Sequence, residues 1–421
     1  MLVEMGPAYG TVFTRIDCAP DHGVELLSQS DMFAAEPHGR VIRRDSMAKP
    51  ERHEVKRYQV LIAGAGTLGE NELYGRALIA DDRLVGKYVG PDSMTLVFEE
   101  PGSDQSLFAY AFLASPTGVA AIRSTSYGTK ILRFRADLLG SLPIPMAPSR
   151  TVQRVAALVR HTVEKRKIYL RELRAARAVI EELPEMKEAH AMCADRRPRA
   201  VTWAGSMPTL VAWTYASSGG ALELLERKWA CRLGDALEPG GVFNGPRFAR
   251  VECDAPHGID FYSQRDVFLM RPVPRRIARP PVSDRLLFVP KDALLAGSHG
   301  QLTDGGIFGK VELASFGAHR GGLTQDLLRL LFRPEKRAIA FAFLSTRVGE
   351  RLLKSTAVGT SIPSMRLDLL AEIPFPEVSK SQTDNIQRHV AAAESARLSA
   401  STAEIEAIRI IEEEVLPAWL A

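Results

Sequence analysis

Three glycines follow an apolar run in "QVLIAGAGTLGEN", at positions 64, 66 and 69. A strand, a glycine-rich turn and a helix N-terminus in that order cradle the pyrophosphate of a dinucleotide, because glycine lets backbone N–H groups approach phosphate closely. That chemistry also needs a helix opening at the third glycine and an acid about 20 residues further on. The chain continues instead as "ENELYGRALIA", polar at first and then alternating like a strand. The spacing predicts a sharp turn between two strands, and a nucleotide-dependent enzyme built on Gly64, Gly66 and Gly69 is kept only as a minor alternative. Cys18 with His22 and Cys253 with His257 pair a thiol with an imidazole, as zinc sites do, but each copy offers two ligands where a structural site takes four. The expectation is small packing cysteines, histidines that cap turns, and no metal. "PDSMTLVFEEP" from Pro91 has acids in a nuclease-like order without the lysine such sites use. Neither a GxxxxGK(S/T) phosphate loop, an HExxH pair nor a (D/N/S)PP(Y/F/W) methyltransferase motif occurs. No catalytic residue and no cofactor is expected in this chain.

The elements that must carry these residues come twice. "RIDCAPDHGVELLSQSDMF" from Arg15 returns as "RVECDAPHGIDFYSQRDVF" from Arg250, 235 residues on. "AFLASPTGVAAIRSTSYGTKILRFRADLLGSLPIP" from Ala111 returns ungapped as "AFLSTRVGERLLKSTAVGTSIPSMRLDLLAEIPFP" from Ala342, 231 residues on. The chain is a tandem duplication, so whatever it does it does twice. The counterpart of the glycine stretch, "LLAGSHGQLTDGGIFGKVELA", keeps Phe308, Gly309 and Lys310 against Tyr74, Gly75 and Arg76 but loses the three-glycine spacing. Each copy reads first as short apolar runs broken by Gly, Pro, Asp and Asn, a mixed and strand-rich pattern.

A long helix pattern closes each copy. Over 149–183 it places Val152, Val155, Val159, Val163, Leu170, Leu173 and Ile180 on one stripe, and at 1.5 Å per residue it would reach roughly 50 Å. Over 379–415 the stripe is Ile386, Val390, Ala393, Ile405, Ile408 and Val415. The first helix is rich in Arg and Lys, the second in Glu, which predicts that the two pair antiparallel as a coiled coil.

Length and composition set outer bounds. A chain of 421 residues with 46% hydrophobic and 25% charged content suits two or three globular domains with their own cores. The formal charge of +4 points only weakly to nucleic acid. Four scattered cysteines and an N-terminus without a signal pattern make the reducing cytoplasm the expected location. The apolar runs, such as "AIAFAFL" at 338–344, fall short of the roughly 20 residues of a membrane span, so no membrane contact is expected.

A strand-rich domain, then Ser-Thr-x-x-Gly-Thr (Ser124, Thr125, Gly128, Thr129; Ser355, Thr356, Gly359, Thr360), then Asp-Leu-Leu-x-x-(Leu/Ile)-Pro-x-Pro and a long helix, all of it twice, resembles the DNA-specificity (S) subunit of type I restriction-modification systems over nearly the whole chain. The resemblance implies an α+β chain with two target recognition domains, 1–147 and 231–377, spacer helices at 148–187 and 378–421, and a connecting segment at 188–230. It also implies that each recognition domain reads one half of a split sequence in double-stranded DNA while the paired helices set the gap. Two adenine methyltransferase subunits carrying S-adenosylmethionine would bind the chain, and a translocating restriction subunit can join. Three features differ from the family pattern. The acidic-glutamine pair before each long helix is missing, with only Gln382 in place; Leu233-Gly234-Asp235 opens the second copy without a counterpart in the first; and 188–230 is unmatched after copy two. A DNA-binding or scaffold protein without a methyltransferase partner is the other reading.

DNA affinity comes mainly from cations at phosphates, and sequence is read by polar side chains on loops. The candidate contacts are Ser28, Gln29, Arg76, Thr67, Arg123, Ser126, Tyr127 and Lys130 in copy one, with Ser263, Gln264, Lys310, His299, Lys354 and Ser361 in copy two. Residues shared by both copies cannot tell two half-sites apart. Discrimination is therefore expected where the copies differ, with Arg40, Arg43, Arg44 and Lys49 set against Arg275, Arg276 and Arg279.

Overall fold

The computed structural model describes residues 2–6, 13–69, 72–194, 211–216, 218, 220–254, 256–303 and 305–421. Residues 195–210, 217 and 219 of the expected 188–230 connector, and Glu70 and Asn71 of the glycine stretch, lie outside the described residues. The chain divides into two units, Met1–Leu170 with Ser395–Ala421, and Arg171–Glu394.

In the first unit a four-stranded antiparallel sheet runs β1 (Leu2–Gly6), β8 (Ser93–Phe98), β4 (Val60–Ala63), β6 (Ala77–Ile79). Its central strand β4 reads "VLIA" and is buried throughout, as expected of a strand covered on both faces. A second sheet orders β3 (Arg40–Arg43), β2 (Gly23–Leu27) and β7 (Tyr88–Val89), antiparallel and then parallel. A third, small sheet orders β5 (Ala65–Gly66), β10 (Leu132–Phe134) and β9 (Ser126–Tyr127). Helices α1 (Asp104–Leu113) and α2 (Pro116–Ser124) cover the main sheet; nearly all of α1 is buried against Val60, Ile62, Met94 and Leu96. Among the described residues no single helix is long and apolar enough to cross a membrane. The glycine stretch is the turn the sequence predicts: β5 ends at Gly66, and residues 72–76 are turn rather than helix.

The second unit repeats this plan. Its sheet β11 (Leu237–Asn244), β17 (Leu327–Phe332), β14 (Leu294–Gly297), β15 (Val311–Leu313) matches the first in order and register, since Val60 faces Leu96 where Leu294 faces Leu330. Strands β13 (Arg275–Ile277), β12 (Ile259–Tyr262) and β16 (Gly322–Leu323) repeat the second sheet, and β18 (Ala357–Val358) with β19 (Ser364–Met365) the third. Helices α3 (Pro334–Leu344) and α4 (Arg347–Ser355) repeat α1 and α2. The turn between each helix pair is capped alike, by Ser115 accepting from Gly118 and Thr346 accepting from Gly349. A Cβ on Gly118 would lie 1.9 Å from the Phe112 carbonyl oxygen, and one on Gly349 2.3 Å from that of Phe343, so only glycine fits. The helices Pro184–Ala194 and Ala221–Lys228 pack on each other and on α4. Arg329, which stands where the first copy has Thr95, is fully buried; its guanidinium donates to the carbonyls of Thr324, Leu327 and Leu323, and burial pulls its pKa down to about 10.

The first long helix runs Ser149–Glu181, two residues short of the expected end, because Pro184 opens a separate helix. The second, Lys380–Ile410, continues through a wider π turn, Ile411–Val415. Within the first unit their contacts run in opposite directions, Arg154 with Glu414, His161 with Ser399 at 2.8 Å and Arg166 with Glu404 at 2.7 Å. Within the second unit His389 meets Glu172 at 2.6 Å. The pairing is antiparallel, as expected, and Ala393, Ala396, Ala400, Ala403 and Ala407 let the backbones approach. The seam differs in phase at two places: Tyr169 is buried rather than Leu170, and Glu404 is buried while Ile405 is 57% exposed. Charge pairing is also less general than the composition suggests. Glu394 turns to Arg337, Glu406 and Glu413 hold Arg409 on their own helix, and Glu412 caps α2 by accepting from Thr117 N and Oγ1, both at 2.9 Å.

The shift at Glu404 has a clear cause. Its carboxylate accepts from Arg166 and from the Tyr110 hydroxyl of α1, while Asp81, after β6, lies 3.7 Å from Arg166 and 2.7 Å from Arg83. All four charged groups are almost fully buried and sum to zero. Burial alone would depress the Arg166 pKa, but Glu404 and Asp81 more than reverse it, so the cation is held firmly. Glu404→Ala strands a buried guanidinium and is expected to cost about 3–5 kcal/mol, whereas Arg166→Met with Glu404→Leu, which leaves Asp81 balanced by Arg83, should recover most of it. Denaturant unfolding of both variants measures this. A single-variant loss of about 1 kcal/mol or less would mean that the pair behaves as an exposed one.

Candidate nucleic-acid interface

Arg40 and Arg43, exposed, and Arg275 and Arg276, half-buried, sit on edge strands. β3 and β13 pair with β2 and β12 in the same register, Arg40 opposite Leu26 and Arg275 opposite Phe261. Each hairpin is tightened by a cysteine over a glycine. The sulfur of Cys18 lies 2.4 Å from where a Cβ of Gly23 would stand, as does that of Cys253 at Gly258, with the carbonyls of Ile42 and Ile277 close behind. Packing therefore accounts for both cysteines, and among the described residues no group of three or more His, Cys, Asp or Glu could hold a metal ion.

The register corrects one expectation. Arg40 and Arg275 are equivalent, and by the same count Arg44 and Arg279 are too, so these residues are shared by the copies rather than set against each other. Each of the first pair binds an equivalent acid, Arg40 on Asp17 at 2.7 Å and Arg275 near Glu252 at 3.9 Å. True differences remain at Arg43, which pairs with Asp45 where copy two has Ala278, and at Arg276, which binds Asp260 at 2.6 Å where copy one has Val41. Arg44 donates to the Tyr88 hydroxyl at 3.2 Å. Exposed pairs of this kind are worth little and exchange readily for other anions.

The second feature is the end of the small sheet. Because β10 pairs with β5 and with β9, the turn after Gly66 and the turn 128–131 lie at one end. Thr67, Leu68, Tyr127, Lys130 and Ile131 are exposed there. In the second unit a bridge from His299 to Ser364 takes the place of β5, and Ser361 and Ile362 are exposed in the matching turn.

Several candidate contacts prove to be supports instead. Gln29 donates to the Ala65 carbonyl at 2.7 Å and accepts from the Ala65 amide at 2.9 Å, so both halves of its side-chain amide are engaged. Gln264 does the same with the His299 carbonyl at 2.8 Å and the Ser298 amide at 3.0 Å. Ser28 and Ser263 cap the short turns that follow them, each with an acid three residues on, Asp31 and Asp266. Arg123 donates to the carbonyls of Tyr74 at 2.9 Å and Glu72 at 3.1 Å, and burial draws its pKa below the usual arginine value. Its equivalent Lys354 is buried, bound to Glu350 and, at 3.0 Å, to the Thr303 carbonyl. Ser126 bonds the Tyr74 hydroxyl at 2.6 Å, and Lys310 donates to the Gly305 carbonyl at 3.3 Å. Arg76 is half-buried. His299, also half-buried, lies 3.9 Å from Asp326. Gln382 forms a capping box with Ser379 that starts the second long helix.

Three equivalent pairs escaped the sequence reading. Arg15 and Arg250 head the repeat, and Arg250 donates to Thr324 Oγ1 at 3.0 Å while stacking on Phe261. Ile16 is 43% and Val251 61% exposed, and Ile131 and Ile362 are exposed in the turns just described. Their recurrence at matching offsets was the available signal; that they face outward was not.

No family model matches the chain, and no curated protein matches it in sequence. Solved structures similar to it belong to type I restriction-modification systems. The S subunit from M. genitalium is 13% identical, with 98% of this chain and 93% of that chain covered and a TM-score of 0.36. The HsdS subunit from Thermoanaerobacter tengcongensis is 15% identical, with 96% and 93% covered and a TM-score of 0.27. A chain from a study of complex assembly and conformational transition of the type I R-M system is 15% identical, with 96% and 94% covered and a TM-score of 0.28.

Removing one of the glutamine clamps tests their supporting role. Gln29→Ala should leave the Ala65 amide without its acceptor and speed its hydrogen exchange by roughly tenfold or more, the effect of one lost internal hydrogen bond. Unchanged exchange at Ala65 would release Gln29 from this role.

Proposed function

We propose that this chain is the DNA-specificity subunit of a type I restriction-modification assembly and reads a split target with two recognition units. The observation that carries the reading is the duplication itself. Each unit bears an edge strand with an arginine at the same register, exposed at Arg40 and half-buried at Arg275, an exposed Gly-Thr-x-Ile turn, and one share of an antiparallel helix pair. A protein that presents two copies of one binding surface suits a ligand with two half-sites. Shared arginines grip phosphate, which carries no sequence, while differing positions such as Arg43 and Arg276 read bases. The long helices serve as the spacer between half-sites. Methylation belongs to two partner methyltransferase subunits, which bring the S-adenosylmethionine, and a restriction subunit joins the same cytoplasmic complex.

Coexpression with an adenine methyltransferase subunit of the same genome, followed by sequencing of modified bases in host DNA, tests this. Adenine methylation at a split motif that vanishes when this chain is deleted is the expected result, and exchange of residues 1–140 for another recognition domain should change one half of the motif only. Methylation that persists without the chain would leave a DNA-binding or scaffold protein without this partner. For the phosphate role, Arg40→Ala and Arg275→Ala should weaken binding alike on all sequences and each lower the slope of log affinity against log salt by about 1. Fluorescence anisotropy across a salt series reads this; a loss confined to one target sequence would make these arginines base readers.

A further inference from the structure

Ile131 and Ile362 stand 231 residues apart at equivalent positions, in turns that read Gly-Thr-Lys-Ile and Gly-Thr-Ser-Ile. They are 61% and 71% exposed. Both turns are made by a glycine in the left-handed region, Gly128 at φ 102° and Gly359 at φ 101°, so the two backbones present the isoleucine in the same way. An aliphatic side chain left mostly in water contributes little to folding. Two neighbours have nevertheless changed between copies, Tyr127 to Val358 and Lys130 to Ser361, while the isoleucine, like the glycine and threonine of the turn, has not. In the first unit Leu68 and Tyr127, 61% and 47% exposed, flank the same sheet end.

Resting on the DNA-recognition reading above, we propose that Ile131 and Ile362 are apolar wedges, each pressing into a base step of duplex DNA at its own half-site. Duplex DNA is the occupant that fits, for three reasons. The turns 126–131 and 357–362 contain hydroxyls and a lysine but no carboxylate, which suits a polyanion. One side chain on a narrow turn is far smaller than the roughly 800 Å² per partner of a stable protein interface, yet it is the size of the Ile or Leu wedges that part base steps. Identity in both copies suits a contact that deforms DNA without reading its sequence, leaving discrimination to residues that differ.

The test uses the full chain with its methyltransferase and short duplexes carrying the methylated motif, with 2-aminopurine moved step by step through each half. The wild type should give a fluorescence rise at one step in each half. Ile131→Ala should abolish only the rise in the half read by the first unit and Ile362→Ala only the other, each weakening binding about tenfold, as expected for one lost buried aliphatic group. Ile131→Met, which keeps an apolar wedge, should retain the signal. Wild-type fluorescence and affinity in both alanine variants would overturn the wedge and leave the recognition reading standing. Loss of methyltransferase copurification in either variant would overturn it too, by making these residues a subunit contact. A wild-type complex that binds no duplex would remove the wedge and the recognition reading together.

Discussion

The buried ion cluster of Arg166, Glu404, Asp81 and Arg83 is the constraint on which the first unit depends. It joins both long helices to the loop after β6 and, through Tyr110, to α1. Four charges out of water are tolerable only when each faces an opposite charge at short range, because desolvation of one unpaired ion costs several kcal/mol. The helices therefore cannot slide or rotate against the sheet without exposing one member. That fixed phase buries Val155, Val159, Val163, Ala407 and Ile410 and turns Ile405 outward.

The duplication is closely matched in its main sheets and helix pairs and unequal in chemistry. Arg397 is the counterpart of Arg166 and is also buried, but it lies over the Tyr169 ring at 5.4 Å; the position that mirrors Glu404 is Leu173. Asp81 is matched by Ser315, which bonds Glu394. The two copies thus keep one scaffold of glycine-dependent turns and capped helices while the polar partners inside it diverge. The same division holds at the surface. Arg40 with Asp17 and Arg275 with Glu252 persist, and Arg43 and Arg276 do not. Two surfaces built alike but tuned differently suit the proposed reading of an asymmetric, two-part target.

Much of this was legible in residues alone. The repeat, the strand-rich copies, the long helices and their antiparallel pairing follow from offsets, periodicity and charge. The glycine turn could be separated from a phosphate cradle because its counterpart lacks the spacing. The candidate site was less legible. Gln29, Gln264, Arg123 and Lys354 have the side chains of DNA contacts, yet they turn inward to satisfy backbone groups of neighbouring turns. A polar side chain near a glycine-rich loop serves either purpose, and its residue type does not say which.

The sequence by itself determined the tandem architecture, because an alternating or 3.6-residue apolar pattern must bury one face and a repeated pattern must bury it in the same way twice. It also set Gly118 and Gly349 at one offset, while the folded backbone decided that neither position admits a Cβ. Only the tertiary structure decided which charges face inward, which of two adjacent residues fills the helix seam, and that Arg40 and Arg275 are one position rather than two. These outcomes depend on register and helix phase, which are set by contacts between segments far apart in the chain and leave no local mark in the residues they orient.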